Sequence, residues 1–231
     1  MALNKEKLEF KDSEKLTKWL IWFLYLRIAG SVIAVISGFF VFQFFNDLKN
    51  SVYSSHALAV AAGAASDHRQ HLIALLRLFI AITFGFLALK WIYRANYNCR
   101  QLGAKDMTHT PGSAIGYFFI PVVNLWEPYL VMKEIWKASV NPKSWKSVDV
   151  PAIFGWWWFL QITSGAINMK LAMSLIERHI AKGALIDNYI DSNTLRIIAD
   201  ASVIPVCFVL ILIVRKIYEA QVNSRPADAP K

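Results

Sequence analysis

GYFFIPVVNLWEPY, residues Gly116–Tyr129, decides how the chain is threaded, because the side of a membrane on which everything after it lies depends on whether these residues cross. The apolar core around them, Ala114 to Trp126, is thirteen residues long, whereas crossing about 30 Å of hydrocarbon takes roughly 20. Pro121 removes one backbone donor and Pro128 another, so a continuous helix in lipid would leave carbonyls without partners. The stretch is therefore expected to lie in or re-enter one leaflet, turning at Pro121 and Pro128. Asn124 and the backbone of residues 94–98 are candidates to satisfy the freed carbonyls, with Arg94 able to donate to carbonyls or to Glu127. Beyond Pro128, the apolar residues Tyr129, Met132, Trp136 and Val140 recur at helical spacing beside Lys133, Glu134 and Lys137. That pattern predicts an amphipathic helix lying on the inner membrane surface. Trp136 and Trp145, with Lys133, Lys137, Lys143 and Lys146, would meet the headgroups of anionic lipids there.

Outside this segment the apolar residues gather in four long runs, about 19–45, 72–94, 151–174 and 197–216. The chain is 56% hydrophobic and 18% charged, against about 25% charged for soluble domains. The predicted class is all-α: an integral membrane four-helix bundle, with the interfacial segment and amphipathic helix between the second and third spans. Residues 19–216 form the membrane domain, 111–140 its most distinctive segment, 1–18 a charged solvated tail and 217–231 a second tail. The first run exceeds the 7 to 15 apolar residues of a signal peptide and reads as a retained span. Cys99 and Cys207 fall at different expected depths, which argues against a disulfide.

The net charge of +9 raises nucleic acid as a partner, but its placement answers otherwise. With the N-terminus inside, seventeen bases lie in inner segments, among them Lys5, Lys7, Arg94, Arg100 and Lys231. Seven lie in outer ones: Lys49, Arg69, Arg77, Lys170, Arg178, Lys182 and Arg196. The positive-inside rule then puts both termini in the cytoplasm and accounts for the basic excess without nucleic acid.

Polar residues inside the spans are few. Gly30, Ala34 and Gly38 repeat every four positions and allow close helix approach, with Arg27 near that face. Arg77, Ala81, Gly85 and Ala88 share another face, and Asp200 enters the fourth span at a depth similar to Arg77, so an ion pair between them is expected. Gln161, Ser164 and Asn168 form a polar stripe in the third span. These groups read as helix-packing contacts or, alternatively, as a polar pathway. His68 and His71 are three apart and form a weak candidate metal pair lacking further ligands. No phosphate loop, catalytic pairing or cofactor motif is present.

Trp91, Arg94, Asn98, Leu102, Gly103, Pro111, Gly116, Phe119, Pro121, Asn124, Leu125, Trp126, Pro128, Tyr129, Glu134, Trp136 and Ser139, extended by Trp156–Trp158, give the chain a specific resemblance. It resembles a bacterial family of small multi-pass membrane proteins described as domain of unknown function 4328 (DUF4328), over about residues 75–215. Ser113 and Tyr117 stand where tryptophans are expected, and Glu127 where a basic residue is more usual. The resemblance implies a bundle in the bacterial cytoplasmic membrane and carries no activity. Three functions follow: a non-enzymatic structural, regulatory or subunit protein presenting an inner-face platform to anionic lipids or a partner, a small transporter or channel acting as a homo-oligomer, and a metal-dependent membrane enzyme.

Overall fold

The computed structural model describes residues 9–180 and 185–225. Six α-helices follow in order: α1 (Glu14–Lys49), α2 (His56–Gln101), α3 (Pro111–Gly116), α4 (Glu127–Val140), α5 (Ile153–Ile180) and α6 (Ile186–Asn223). Short 3-10 turns lie at Tyr117–Phe119, Val123–Leu125 and Pro142–Ser147, and no strand occurs among the described residues. The expected positions of Lys5, Lys7, Lys182 and Lys231 lie outside the described residues, as do the outer parts of both tails.

Three helices, α1, α2 and α6, are long and apolar enough to cross a membrane, with mean hydropathies of 2.1, 2.5 and 2.8 over their most apolar windows. α5, at 28 residues, is long enough to cross but less apolar, since three adjacent tryptophans, Gln161, Asn168 and Lys170 dilute its aliphatic residues. In the apolar window of α2 only 6% of the residues are buried, so its leucines and phenylalanines face outward, as expected where the surrounding solvent is hydrocarbon.

The chain divides into two compact units. One comprises Leu24–Thr83 and Phe159–Phe208. In it Gly38 lies against Ile197 so closely that a Cβ would sit 2.5 Å from the isoleucine Cγ1, and Asn193 Nδ2 donates to the Gly38 carbonyl at 2.9 Å. Arg69 and Gln70 both donate to Ser37 Oγ at 2.9 Å.

The other unit takes in the described residues of Met1–Phe23, Phe84–Trp158 and Val209–Lys231. Residues 9–13 are docked at the backbone while Glu9, Lys11 and Asp12 stay exposed: the Asn98 side chain receives the Lys11 N–H at 3.0 Å and donates to the Lys11 carbonyl at 2.8 Å. Trp91 Nε1 donates to buried Thr17 at 3.0 Å. At the other end α6 continues past 216, because Ile217 and Gln221 are buried and repay the extra helical turns with packing.

GYFFIPVVNLWEPY forms no continuous helix. It holds the last residue of α3, two 3-10 turns and the start of α4, with Ile120 extended between the turns. The carbonyls it frees find partners: Ile120 O accepts from the Asn124 backbone at 2.8 Å, and Leu125 O from Trp158 Nε1 at 3.1 Å.

Candidate functional site

The site begins where α2 stops. Gly103 adopts φ +101°, a region closed to most side chains, while Gly103 N bonds Arg100 O at 3.0 Å and Ala104 N bonds Cys99 O at 3.1 Å. This paired C-terminal cap reverses the chain and returns residues 105–110 toward α2. There Asn96 Nδ2 and Arg100 Nη2 hold the His109 carbonyl at 3.0 and 2.7 Å. Thr110 then caps α3 by accepting from Ser113 N at 3.1 Å, with Pro111 at the start of the helix where no N–H is needed.

Held in this way, the His109 ring lies between two carboxylates of α4. Nδ1 is 2.6 Å from Glu134 Oε2, and Nε2 is 2.9 Å from Glu127 Oε2. Glu134 also accepts the backbone N–H of Thr108 at 2.5 Å and of His109 at 3.0 Å. The His109 and Glu134 side chains are only 8% and 6% exposed, and that of Glu127 22%. Tyr117 closes the site edge-on to the imidazole. Glu127 sits in the first turn of α4, where a carboxylate is favoured by the helix dipole. Both ring nitrogens face acceptors, so the cluster is satisfied only with a proton on each nitrogen or with one on a carboxyl group. Either way no lone pair of His109 is turned toward a substrate or a metal. The arrangement is a clamp closing the 105–110 strap onto α4.

A second buried group lies on the next turn of α4. Gln221 Nε2 reaches Ala95 O at 2.9 Å, Ser139 Oγ at 3.1 Å and Cys99 Sγ at 3.4 Å. Burial pushes the Cys99 thiol up to about 11, which removes it as a nucleophile near neutral pH.

The residues expected to matter are distributed as follows. Arg94 is not paired with Glu127: its Nη1 donates to the Asp12 carbonyl at 2.9 Å, and Glu127 Oε2 meets His109. Of the apolar stripe Tyr129, Met132, Trp136 and Val140 only Met132 is buried; the buried residues of α4 are Pro128, Val131, Met132, Glu134, Ile135, Ala138 and Ser139. Tyr129 stacks on Trp158, and Trp136 donates to Asp149 O at 3.0 Å. Lys133 lies over the Tyr129 ring at 4.9 Å, Lys137 donates to Lys146 O at 3.3 Å, and Lys143 and Lys146 are exposed. Pro121 and Trp126 are exposed, while Gly116 and Asn124 are half-buried.

In the first unit described, Arg77 Nη2 meets Asp200 Oδ1 at 2.5 Å. The Gln161, Ser164 and Asn168 stripe does not turn inward together: Ser164 is buried against Ser202 at 2.7 Å, whereas Gln161 and Asn168 are exposed. His68 and His71 are exposed on α2. Among the described residues no three His, Cys, Asp or Glu side chains are placed to hold a metal ion.

Sequence reasoning missed His109, Ser139 as a buried partner, and Gln221. One signal was available: Glu127 and Glu134 are seven apart and share a helix face, so two acids on one side of an otherwise apolar and basic helix ask for a common partner.

Among the described residues the architecture is all-helical, and three helices long and apolar enough to cross a membrane point to a membrane protein, one whose irregular segment is fastened by a buried imidazole–dicarboxylate clamp. The chain belongs to the family called domain of unknown function (DUF4328), whose model matches residues 54–219. α1 lies outside that match, although Thr17 and Lys11 dock on Trp91 and Asn98, which lie within it. No curated protein and no solved structure matches the chain.

Proposed function

We propose that the chain is a four-span protein of the bacterial cytoplasmic membrane, with both termini inside, whose segment 111–147 is a rigid inner-face platform for anionic lipids. The observation that carries this reading is a contrast within one short segment. The scaffold beneath it, Val131, Ile135 and Ala138, is wholly buried, while Phe119, Ile120, Val122, Leu125 and Trp126 stand exposed, Phe119 at 71% and Val122 at 65%. A row of large apolar side chains on broken helix, clamped rather than mobile, suits insertion among headgroups, with Lys143 and Lys146 supplying attraction to anionic lipid at about 1 kcal/mol each. In this reading α5 is the third span. Its tryptophans sit at the interface, and its exposed Gln161 and Asn168 face a second copy or another membrane protein.

A single cysteine at Val122, carrying an environment-sensitive fluorophore in vesicles with anionic lipid, is expected to show blue-shifted emission. Quenching should be strong with nitroxides near the headgroup and weak with nitroxides at the bilayer centre. Solvent-like emission without quenching would overturn the platform. Cys99 and Cys207 are both buried and stay dark.

A further inference from the structure

The unit formed by Leu24–Thr83 and Phe159–Phe208 contains a cavity of about 340 Å³, lined by Arg27, Gly30, Ser31, Arg77, Leu78 and Val203 among others. Its volume falls within the roughly 300–1,000 Å³ of small-molecule sites, and its exposed lining leucines, Leu26 and Leu78, leave it open on one side. Two guanidinium groups reach it from the apolar runs of α1 and α2. Asp200 is the sole acid within the four apolar runs, and it is already engaged with Arg77. The residues lining the cavity thus include two guanidinium groups and no carboxylate, in a region where lipid is the solvent and charge is costly. Small residues keep the space open: a Cβ on Gly30 would lie 3.6 Å from Arg77 Cγ, so a longer side chain there would run along the arginine into the cavity.

We propose that this cavity binds an anionic amphiphile, a carboxylate or phosphate head held by Arg27 and Arg77 with its acyl chain leaving past Leu26 and Leu78. An oxyanion complements a lining with two guanidinium groups and no carboxylate, and guanidinium is the side chain best matched to it. The apolar flank suits the first methylenes of a chain better than a fully hydrated ion. This inference rests on α1, α2 and α6 lying in lipid. It is independent of the platform, whose residues belong to the other unit.

The test uses full-length protein in a non-ionic detergent and measures saturable binding of palmitate, lysophosphatidic acid, hexadecanol and inorganic phosphate. Palmitate or lysophosphatidic acid is expected to bind one per chain, with hexadecanol weaker by about tenfold or more and inorganic phosphate unable to compete. Palmitate the tighter of the two assigns the site to free carboxylates; lysophosphatidic acid the tighter assigns it to lipid phosphates. Gly30→Leu, which fills the space and leaves both arginines, should reduce binding about tenfold, and Arg27→Gln should weaken the anions while leaving hexadecanol unchanged. Hexadecanol binding as tightly as palmitate, displacement by inorganic phosphate, absence of saturable binding, or a folded Gly30→Leu protein that binds as before would each overturn the proposal. Should neither variant fold, the comparison of palmitate with hexadecanol on the unaltered protein decides it.

Discussion

Glu134→Ala is expected to destabilise the protein by about 3 to 5 kcal/mol, the range for removing one partner of a buried ionic network. Its carboxyl group accepts the backbone N–H groups of Thr108 and His109 and is hydrogen-bonded to His109 Nδ1, and alanine would leave all three without that partner in a space that water enters poorly. The strap carrying residues 105–110 would lose its hold on α4, although Asn96 and Arg100 would still grip the His109 carbonyl. Glu127→Ala removes a single bond from a carboxylate that is 22% exposed, and should cost only about 1 to 2 kcal/mol. Unfolding in detergent, followed by tryptophan fluorescence, measures both. Equal losses, or a larger one for Glu127, would show that the clamp is not centred on Glu134.

The second large effect concerns Arg77 and Asp200. Asp200 is buried, its Oδ1 meets Arg77 at 2.5 Å, and its Oδ2 finds no hydrogen-bond partner among the described residues. Neutralising either residue strands the other in apolar surroundings, so Arg77→Ala and Asp200→Ala should each cost about 3 kcal/mol or more. The double change should cost less than the sum of the two, by a coupling of about 1 to 3 kcal/mol. Losses that simply add in a double-mutant cycle would mean that the two charges do not interact.

Hydropathy located the long helices because an apolar run of about 20 residues has few alternatives to a helix, but a run does not mark where the helix ends. α2 starts at His56, outside the run beginning at Leu72, as the helix-permissive residues Ala57–Ala65 lead one to expect. α6 (Ile186–Asn223) overruns its apolar run at both ends for a different reason: Ser192 and Asn193 at one end, and Ile217 and Gln221 at the other, gain burial from neighbours that no local pattern reveals. The clamp was hidden in the same way. Glu134 looks like a solvent-facing residue until His109 is known to meet it, and His109 reaches it only because Gly103 turns the chain back. The apolar stripe Tyr129, Met132, Trp136 and Val140 shares only Met132 with the buried residues of α4, because Glu134 on the buried side finds its partner in His109. By contrast, Arg77 and Asp200 were legible because so few charges occur in apolar runs that each has few possible partners.

The central claim is that Gly116–Tyr129 does not cross the membrane, so that the chain before and after it lies on one side. Lys105 and Ser147 flank the segment and are both exposed, whereas Ala104 is buried and would report poorly. Single cysteines at these two positions, in cells producing the full chain, are expected to react with a membrane-impermeant thiol reagent only after the cells are opened, and to similar extents. Labelling of one site in intact cells while the other stays protected would show that the segment crosses, and would contradict the account.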